Sequence, residues 1–175
     1  MGPGFHRDSA ARTVTSRGAG RCRIAMTVMV WENTSMRLEQ VVAEMPAGFD
    51  VLRAEARAEG YRHIDRLADE WVAGTMRFDR DGEALIAASL DRQLAGIGGI
   101  TIDPSQSGAL RMRRFYVRCS FRRAGIGRAI AVKLLAHARA LGRPVTVNAG
   151  VGSEPFWRSL GFVAEARDGH THVTS

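Results

Sequence analysis

The chain reads RRFYVRCSFRRAGIGRAIAVKLLAHARAL from Arg113 to Leu141. Phe115, Tyr116 and Val117, near its start, have high strand propensity. Apolar residues then recur at a helical spacing, and this stripe comprises Ile126, Ile130, Ala131, Leu134, Leu135, Ala138 and Leu141. The stretch therefore predicts a strand, a turn and an amphipathic helix.

The turn between this strand and helix has the composition of an anion site. The first N–H groups of a helix have no intrahelical partner and lie at the positive end of the helix dipole. Gly125 and Gly127 leave the approach to those groups free of side chains, and Arg122, Arg123 and Arg128 add positive charge. We expect a diphosphate-bearing ligand here. The alternative is a tight connection whose arginines are only solvated.

The spacing of this turn separates it from two common phosphate motifs. It lacks the Lys-Ser/Thr end of a P-loop and the three-glycine dinucleotide fingerprint with a later acidic residue. Arg122, Gly125 and Gly127 instead match Arg or Gln, two residues, Gly, one residue, Gly or Ala. The turn thereby resembles the acyl-CoA site of the GNAT superfamily of N-acetyltransferases. FWRSLGF, at residues 156–162, is similar to that family's aromatic pair followed by Leu-Gly-Phe.

The resemblance covers residues 36–174 and implies a mixed α/β (α+β) fold. It implies a central, mostly antiparallel, twisted sheet that is flanked by helices and splayed at the CoA site. Residues 36–175 are expected to form this single domain, whereas residues 1–35 are expected to be a disordered or mis-assigned extension. The predicted strands are Met36–Met45, Ala84–Leu90, Leu94–Ile102, Arg113–Val117, Pro144–Ala149, Phe162–Ala166 and His170–Thr174. Hairpins are expected at Asp91-Arg92-Gln93 and about Asp168-Gly169, and Trp71 is expected in the core or lining a pocket. Besides the helix that begins at Ile126, two helices broken near Gly60 are predicted from Phe49 to Val72, and a short one capped by Ser153 from Glu154 to Leu160.

The same resemblance implies acetyl-CoA as co-substrate and a set of residues that bind it. Phe115, Tyr116 and Val117 stand where the family has the bulged strand that lines the pantetheine. The turn supplies Arg122, Arg123, Ala124, Gly125, Ile126, Gly127 and Arg128. Asn148, Phe156 and Trp157 complete the expected binding set.

The implied reaction is direct attack of a neutral primary amine on the thioester in a ternary complex. The expected catalytic groups are the backbone N–H of Val117, which would polarise the carbonyl, together with Asn148 and Ser153. Trp157 departs from the family pattern, because many members have Tyr there and an indole is not a practical acid. The leaving thiolate would then be protonated by solvent or stabilised by Ser153.

The general base stays open between several groups. The strand from Leu110 to Val117 has no carboxylate, although some relatives carry one there. Glu83, Asp79 and His170 are alternatives, and a water chain would need no dedicated side chain. His63 lies among charged residues and is expected at the surface.

Charge is distributed unevenly along the chain. The net charge is +7, with 8 basic and 13 acidic residues in residues 36–103 and 12 basic and 3 acidic residues in residues 104–175. The asymmetry would suit an anionic cofactor on the basic half and a cationic amine on the acidic half, or it reflects solvated faces only. A nucleic-acid-binding protein is the least favoured interpretation, because the basic half of the sequence lacks an array of aromatic residues for base stacking.

Two further expectations concern location and partners. No apolar run approaches the ~20 residues that span a bilayer, and Cys22 and Cys119 form neither a metal-ligand spacing nor a disulfide framework. A cytoplasmic enzyme acting on a small-molecule or peptide amine is expected, with a homodimer left open. The main alternative is a non-catalytic acyl-CoA-binding sensor, favoured by Trp157 and the missing strand carboxylate.

Overall fold

The computed structural model describes residues 35–167 and 169–174. Cys22 and all of the predicted N-terminal extension except Ser35 lie outside these residues. The elements in chain order are β1 Met36–Gln40, α1 Phe49–Ala58, α2 His63–Val72, β2 Ala84–Leu90, β3 Gln93–Ile102, β4 Leu110–Val117, α3 Ile126–Ala140, β5 Val145–Val147, α4 Glu154–Arg158, β6 Val163–Arg167 and β7 His170–Thr174. In the described part, no helix is both long and apolar enough to cross a bilayer.

The described strands form one seven-stranded sheet in the order β1-β2-β3-β4-β5-β7-β6. Every neighbouring pair is antiparallel except β4 and β5, which run parallel. The predicted mixed fold with a mostly antiparallel sheet between helices is confirmed.

Each face of the sheet has its own apolar core. Helices α1 and α2 cover one face with Leu52, Ile64 and Leu67, which are fully buried. Helix α3 covers the other face with an apolar stripe that includes Ile130 and Leu134. Burial of each such side chain stabilises the fold by roughly 1.5–3 kcal/mol, so both helix layers are firmly attached to the sheet.

Several local predictions are confirmed. The α1 and α2 helices are separated at Gly60, whose φ of 83° requires a residue without a Cβ. Asp91 and Arg92 connect β2 to β3 with φ of 49° and 65°, the pair of positive values that a two-residue type I′ hairpin needs. Strands β6 and β7 pair as expected, and Trp71 belongs to the α1/α2 core.

Other element boundaries differ from the prediction. Strand β1 ends at Gln40 rather than Met45, because after the Val41 N–H has bonded to Leu85 the chain turns towards Pro46. Strand β4 begins at Leu110, the earlier of the two starts considered from the sequence, since its first three residues pair with β5. Strand β5 and helix α4 are shorter than predicted.

Candidate active site

A β-bulge interrupts the pairing of β4 with β3. Ile97 pairs with Tyr116 and Gly99 with Arg113, so the one residue between them on β3 faces two residues on β4. Arg114, within the bulge, has a left-handed φ of 59°. Such a bulge changes the direction in which the backbone groups of the following strand residues point. The resemblance to the GNAT family implied a bulged strand at this place.

The sheet splays on the other side of β4. Parallel pairing of β4 with β5 ends at Met112 and Val147. From Arg113 onward the two strands are separate, which leaves one edge of β4 open. The predicted splay between these strands is present.

The N–H of Val117 lies on this open edge. The N–H of Arg118 donates to the carbonyl of Ala95 at 3.0 Å, so these two residues form a hydrogen-bonded pair. In an antiparallel ladder the adjacent pair, Val117 and Gly96, is then a non-hydrogen-bonded one. The Val117 N–H therefore points away from β3, towards the side where β5 has departed.

Helix α3 begins at the glycine turn with a row of unsatisfied backbone donors. Gly125 occupies the N-cap position with φ of 78°, and the first bond of the helix joins the N–H of Ala129 to Gly125 at 2.9 Å. In the described part of the chain, the N–H groups from Arg123 to Arg128 have no acceptor. A Cβ added at Gly125 would meet nothing within 4 Å, so the approach is open. This is the physical arrangement of an anion site.

Gly127 brings the turn, the open strand and the aromatic pair to one place. A Cβ at Gly127 would lie 3.5 Å from Cγ2 of Val117 and 3.6 Å from Cζ of Phe156. The Phe156 ring centroid is 4.9 Å from that of Trp157, which is 5.1 Å from that of Phe115. Trp157 is only 5% exposed and belongs to the α3 core. The structure thus gathers most of the predicted CoA-binding residues around the start of α3.

The arginines of the turn do not all contribute charge to it. Arg122 donates from Nε to the carbonyl of Val117 at 2.9 Å, and its Nη2 forms an ion pair with Glu59 at 2.6 Å. Arg128 reaches the carbonyl of Ser159 at 3.3 Å, and among the described residues Arg123 has no ion-pair partner. Arg122 therefore ties the turn to α1, whereas Arg123 and Arg128 keep their charge for a ligand.

Tyr116 faces away from this cluster. Its side chain is buried in the α1/α2 core, and its hydroxyl donates to Glu59 at 2.7 Å. Burial and this hydrogen bond raise the pKa of Tyr116. Only its backbone is available to a ligand on the α3 side, because the side chain is on the opposite face of the sheet.

Asn148 and Ser153 lie in the segment that connects β5 to α4. Asn148 is exposed and follows the last paired residue of β5. Ser153 occupies the N-cap position of α4 without capping it, so that prediction is wrong. Its hydroxyl instead donates to the carbonyl of Gly150 at 2.8 Å, because both residues belong to one tight turn.

The family model described as "Acetyltransferase (GNAT) domain" matches residues 52–172. The chain belongs to the GNAT acetyltransferases. No curated protein matches it. A protein of Exiguobacterium sp. 255-15, provisionally assigned as an acetyltransferase, is 25% identical, with a TM-score of 0.71, and the match covers 81% of this chain and 93% of that one.

Two further GNAT structures share the fold at lower identity. YhbS from Escherichia coli, solved in complex with CoA, is 16% identical with a TM-score of 0.58, over 81% of this chain and 82% of that one. An acetyltransferase from Brucella melitensis, solved in complex with acetyl-CoA, is 17% identical with a TM-score of 0.54, over 82% and 97% of the two chains. The GNAT fold of this chain is therefore shared along nearly the whole length of these neighbours.

The carboxylates considered as GNAT general bases lie apart from the open edge or at the surface. Glu83 is buried and accepts hydrogen bonds from Arg80 and from the N–H of Ile102. Ile102 pairs with Leu110, at the opposite end of β4 from Val117, roughly 23 Å away at about 3.3 Å per residue. Asp79 is exposed.

The third candidate base, His170, is a buried histidine on β7. Both of its ring nitrogens are buried and have no hydrogen-bond partner among the described residues. It lies in the β6–β7 hairpin, where it pairs with β6 beyond the last residue of β7 that pairs with β5. Its burial does not by itself connect it to the open edge of β4.

His63 contacts strand β4, although its charged neighbours in the sequence predicted a surface position. It is half-buried, and its Nε2 donates to the carbonyl of Phe115 at 2.9 Å. Burial lowers the pKa of His63 more than this bond raises it, and nearby Arg114 and Arg66 lower it further. No sequence signal marks this contact, because the strand residue is 52 positions away.

Three acidic residues in or next to α1 and α2 form ion pairs with arginines of β4 and of the segment after it. These ion pairs are Glu55 with Arg118 at 2.7 Å, Glu59 with Arg122 at 2.6 Å and Glu70 with Arg114 at 2.6 Å. These ion pairs offset part of the charge asymmetry between the two halves of the sequence, and the asymmetry does not by itself indicate a cationic substrate.

Proposed function

We propose that this GNAT protein transfers an acetyl group from acetyl-CoA to a primary amine by direct attack in a ternary complex. The observation that carries the proposal is the row of unsatisfied N–H groups from Arg123 to Arg128 beside the open edge of β4. Strand, turn and helix together offer a binding surface that is polar at one end and apolar at the other.

The residues present fit coenzyme A. The N–H groups at the start of α3 would bind the pyrophosphate, with Arg123 and Arg128 adding charge-assisted contacts. Phe156 and Val117, which meet at Gly127, would line the pantetheine. The complexes of YhbS with CoA and of the Brucella protein with acetyl-CoA support this assignment. When bound, acetyl-CoA supplies an acetyl group activated as a thioester.

In this proposal, the chain contributes positioning and polarisation to the chemistry. The Val117 N–H, which points to the open edge, would donate to the thioester carbonyl as the amine attacks. Asn148 follows β5 at the mouth of the cleft, which is the place where β4 and β5 separate, and it would orient the amine. A water chain would remove the amine proton. Solvent would protonate the leaving thiolate, since the hydroxyl of Ser153 already donates to Gly150.

The test is thermal unfolding with and without acetyl-CoA, followed by thiol release across a panel of amines. A ligand at ~100 times its dissociation constant should stabilise the fold by about 2.7 kcal/mol. Absence of any shift would contradict the cofactor site. We place the protein in the cytoplasm, where the exposed free thiol of Cys119 would stay reduced.

A sensor that binds acyl-CoA without transferring it is the second candidate. The burial of Trp157 favours it, because this residue stands where many GNAT members have a tyrosine acid. A thermal shift without thiol release on any amine would support the sensor and contradict the enzyme.

A further inference from the structure

Building on the proposed acetyl transfer, we propose that the acceptor amine carries a carboxylate or phosphate group. Arg113 would bind this group at the mouth of the cleft between β4 and β5. The inference concerns the acceptor side of the sheet and does not involve the glycine turn.

Arg113 is a half-buried cation that has no partner among the residues that the structure describes. It is the first residue of β4 beyond the pairing with β5, so it borders the splay. It is partly buried, yet it makes no hydrogen bond or ion pair within the described part of the chain. A partly desolvated guanidinium without a counter-charge is unfavourable unless something else supplies one.

The carboxylates near Arg113 are occupied by its neighbours. Arg111 forms a buried ion pair with Asp103 at 2.7 Å, and Arg114 forms one with Glu70 at 2.6 Å. Two guanidiniums and two carboxylates therefore cancel, and the charge of Arg113 remains. The Nε of Arg114 is also buried without an acceptor. The partly exposed guanidinium of Arg113 is therefore the donor group available to an anion.

The protonation state of Arg113 agrees with its proposed role in binding an anion. Burial lowers the pKa of Arg113, and the charges of Arg114 and Arg111 lower it further. A guanidinium nevertheless stays protonated at neutral pH, and its planar fork fits carboxylate and phosphate oxygens. An anion bound there would offset both unfavourable effects.

The position of Arg113 separates this anion from that of the cofactor. Met112 and Phe115 pack in the α3 core, whereas Arg111 faces the other side of the sheet with Asp103 and Thr146. Alternation along the strand places Arg113 on the same side as Arg111, the face covered by α1 and α2. The expected pyrophosphate site is at the start of α3, on the opposite face. Asn148, the residue after β5, adds exposed amide donors near the mouth.

The experiment compares matched acceptors that differ in one anionic group. L-amino acids are paired with their amides, and phosphorylated amino alcohols and amino sugars with the free compounds. Thiol release from acetyl-CoA gives kcat and KM, and thermal unfolding of the CoA-saturated protein measures binding without turnover. The two families of pairs distinguish a carboxylate from a phosphate.

We expect the anionic member of a pair to be preferred, with a lower KM. Arg113→Gln should raise that KM by about 10- to 100-fold, the effect of one charge-assisted contact, and should leave acetyl-CoA binding unchanged. Arg113→Lys should recover part of the loss. Arg139→Gln, an exposed site in the last turn of α3, is the matched control and should change nothing.

Two results would overturn the inference. One is equal kcat/KM for a neutral or cationic acceptor and its anionic partner. The other is an unchanged preference for the anionic acceptor in Arg113→Gln. If no acceptor releases thiol, the proposed transferase activity fails and the binding arm decides separately. In that case, a thermal shift that the anionic compounds produce in the unsubstituted protein but not in Arg113→Gln would support the anion site. If the anionic compounds produce no such shift, the anion site is refuted.

Discussion

Gly125 combines two physical requirements in one residue. Its φ of 78° is unfavourable for any residue with a Cβ, and its open surroundings leave the donors of the helix start accessible. Phe115 and Gly127, by contrast, act through packing. A substitution at Gly125 can therefore separate backbone strain from the electrostatics of the site.

Gly125→Glu should abolish the thermal shift produced by acetyl-CoA, because its carboxylate would occupy or repel the anion site. Gly125→Gln is the matched control, with the same backbone strain and nearly the same size but no charge. Both variants should fold with a loss of about 1 kcal/mol, and only Gly125→Gln should keep part of the shift. Normal acetyl-CoA binding by Gly125→Glu would refute the placement of the pyrophosphate.

The packing of β3 against β4 and α3 sets the shape of the open edge. Gly98 faces the bulge, and a Cβ there would lie 2.9 Å from both Ile130 and Phe115, closer than real contacts allow. The absence of a side chain at this position lets the bulged strand and the helix approach each other. The shape of the open edge of β4 therefore depends on Gly98, a residue that acts through packing.

Gly98→Ala should destabilise the protein by about 1–3 kcal/mol through overpacking and should weaken acetyl-CoA binding as Phe115 shifts. Chemical denaturation and the acetyl-CoA thermal shift measure the two effects. Gly150→Ala is the control, because a Cβ there meets nothing within 4 Å and Gly150 has no positive φ. Equal stability of the two variants would contradict the packing argument.

Across the whole molecule, Asp103 joins the loop after β3 to both strands that later splay. It accepts hydrogen bonds from Ser105, from Arg111 of β4 and from Thr146 of β5. Burial raises the pKa of Asp103, but the bonds from Thr146 and Ser105 and the charge of Arg111 outweigh burial and bring it to about 2. This cluster closes one end of the β4–β5 pair, and the other end is open.

The shifted carboxyl makes stability depend on pH in a defined direction. The pKa of Asp103 is lowered from 3.8 to about 2, so the unfolded chain binds the proton first. Its contribution of about 2 kcal/mol is complete above pH ~4 and is lost as the pH falls towards 2. Asp103→Asn should remove this component of the acid transition and cost about 3–5 kcal/mol at neutral pH, because Arg111 stays buried without its counter-charge.

Urea unfolding between pH 2 and 7 checks this prediction. Asp69→Asn serves as the control, since that carboxylate is 73% exposed and its contact with Arg53 should contribute less than about 1 kcal/mol. If the two variants lose the same stability, the buried cluster does not hold the strands together.

Features that depend on neighbouring residues could be predicted from the amino-acid sequence. The strand, glycine turn and helix from Arg113 to Leu141, the hairpin at Asp91 and Arg92 and the apolar stripes of the helices all follow from local propensity and periodicity. The two motifs, at Arg122–Gly127 and Phe156–Phe162, also sufficed to indicate the GNAT family.

Which charges and donors remain unpaired depends on contacts formed in the folded protein. Glu59 pairs with Arg122 from 63 residues away, and the bulge of β4 directs the Phe115 carbonyl to His63 across 52 residues. Arg113 differs from its neighbours only because Asp103 and Glu70 are already paired with Arg111 and Arg114. The reason is physical: ion pairing, burial and strand register depend on contacts between distant segments, which periodicity and composition do not encode.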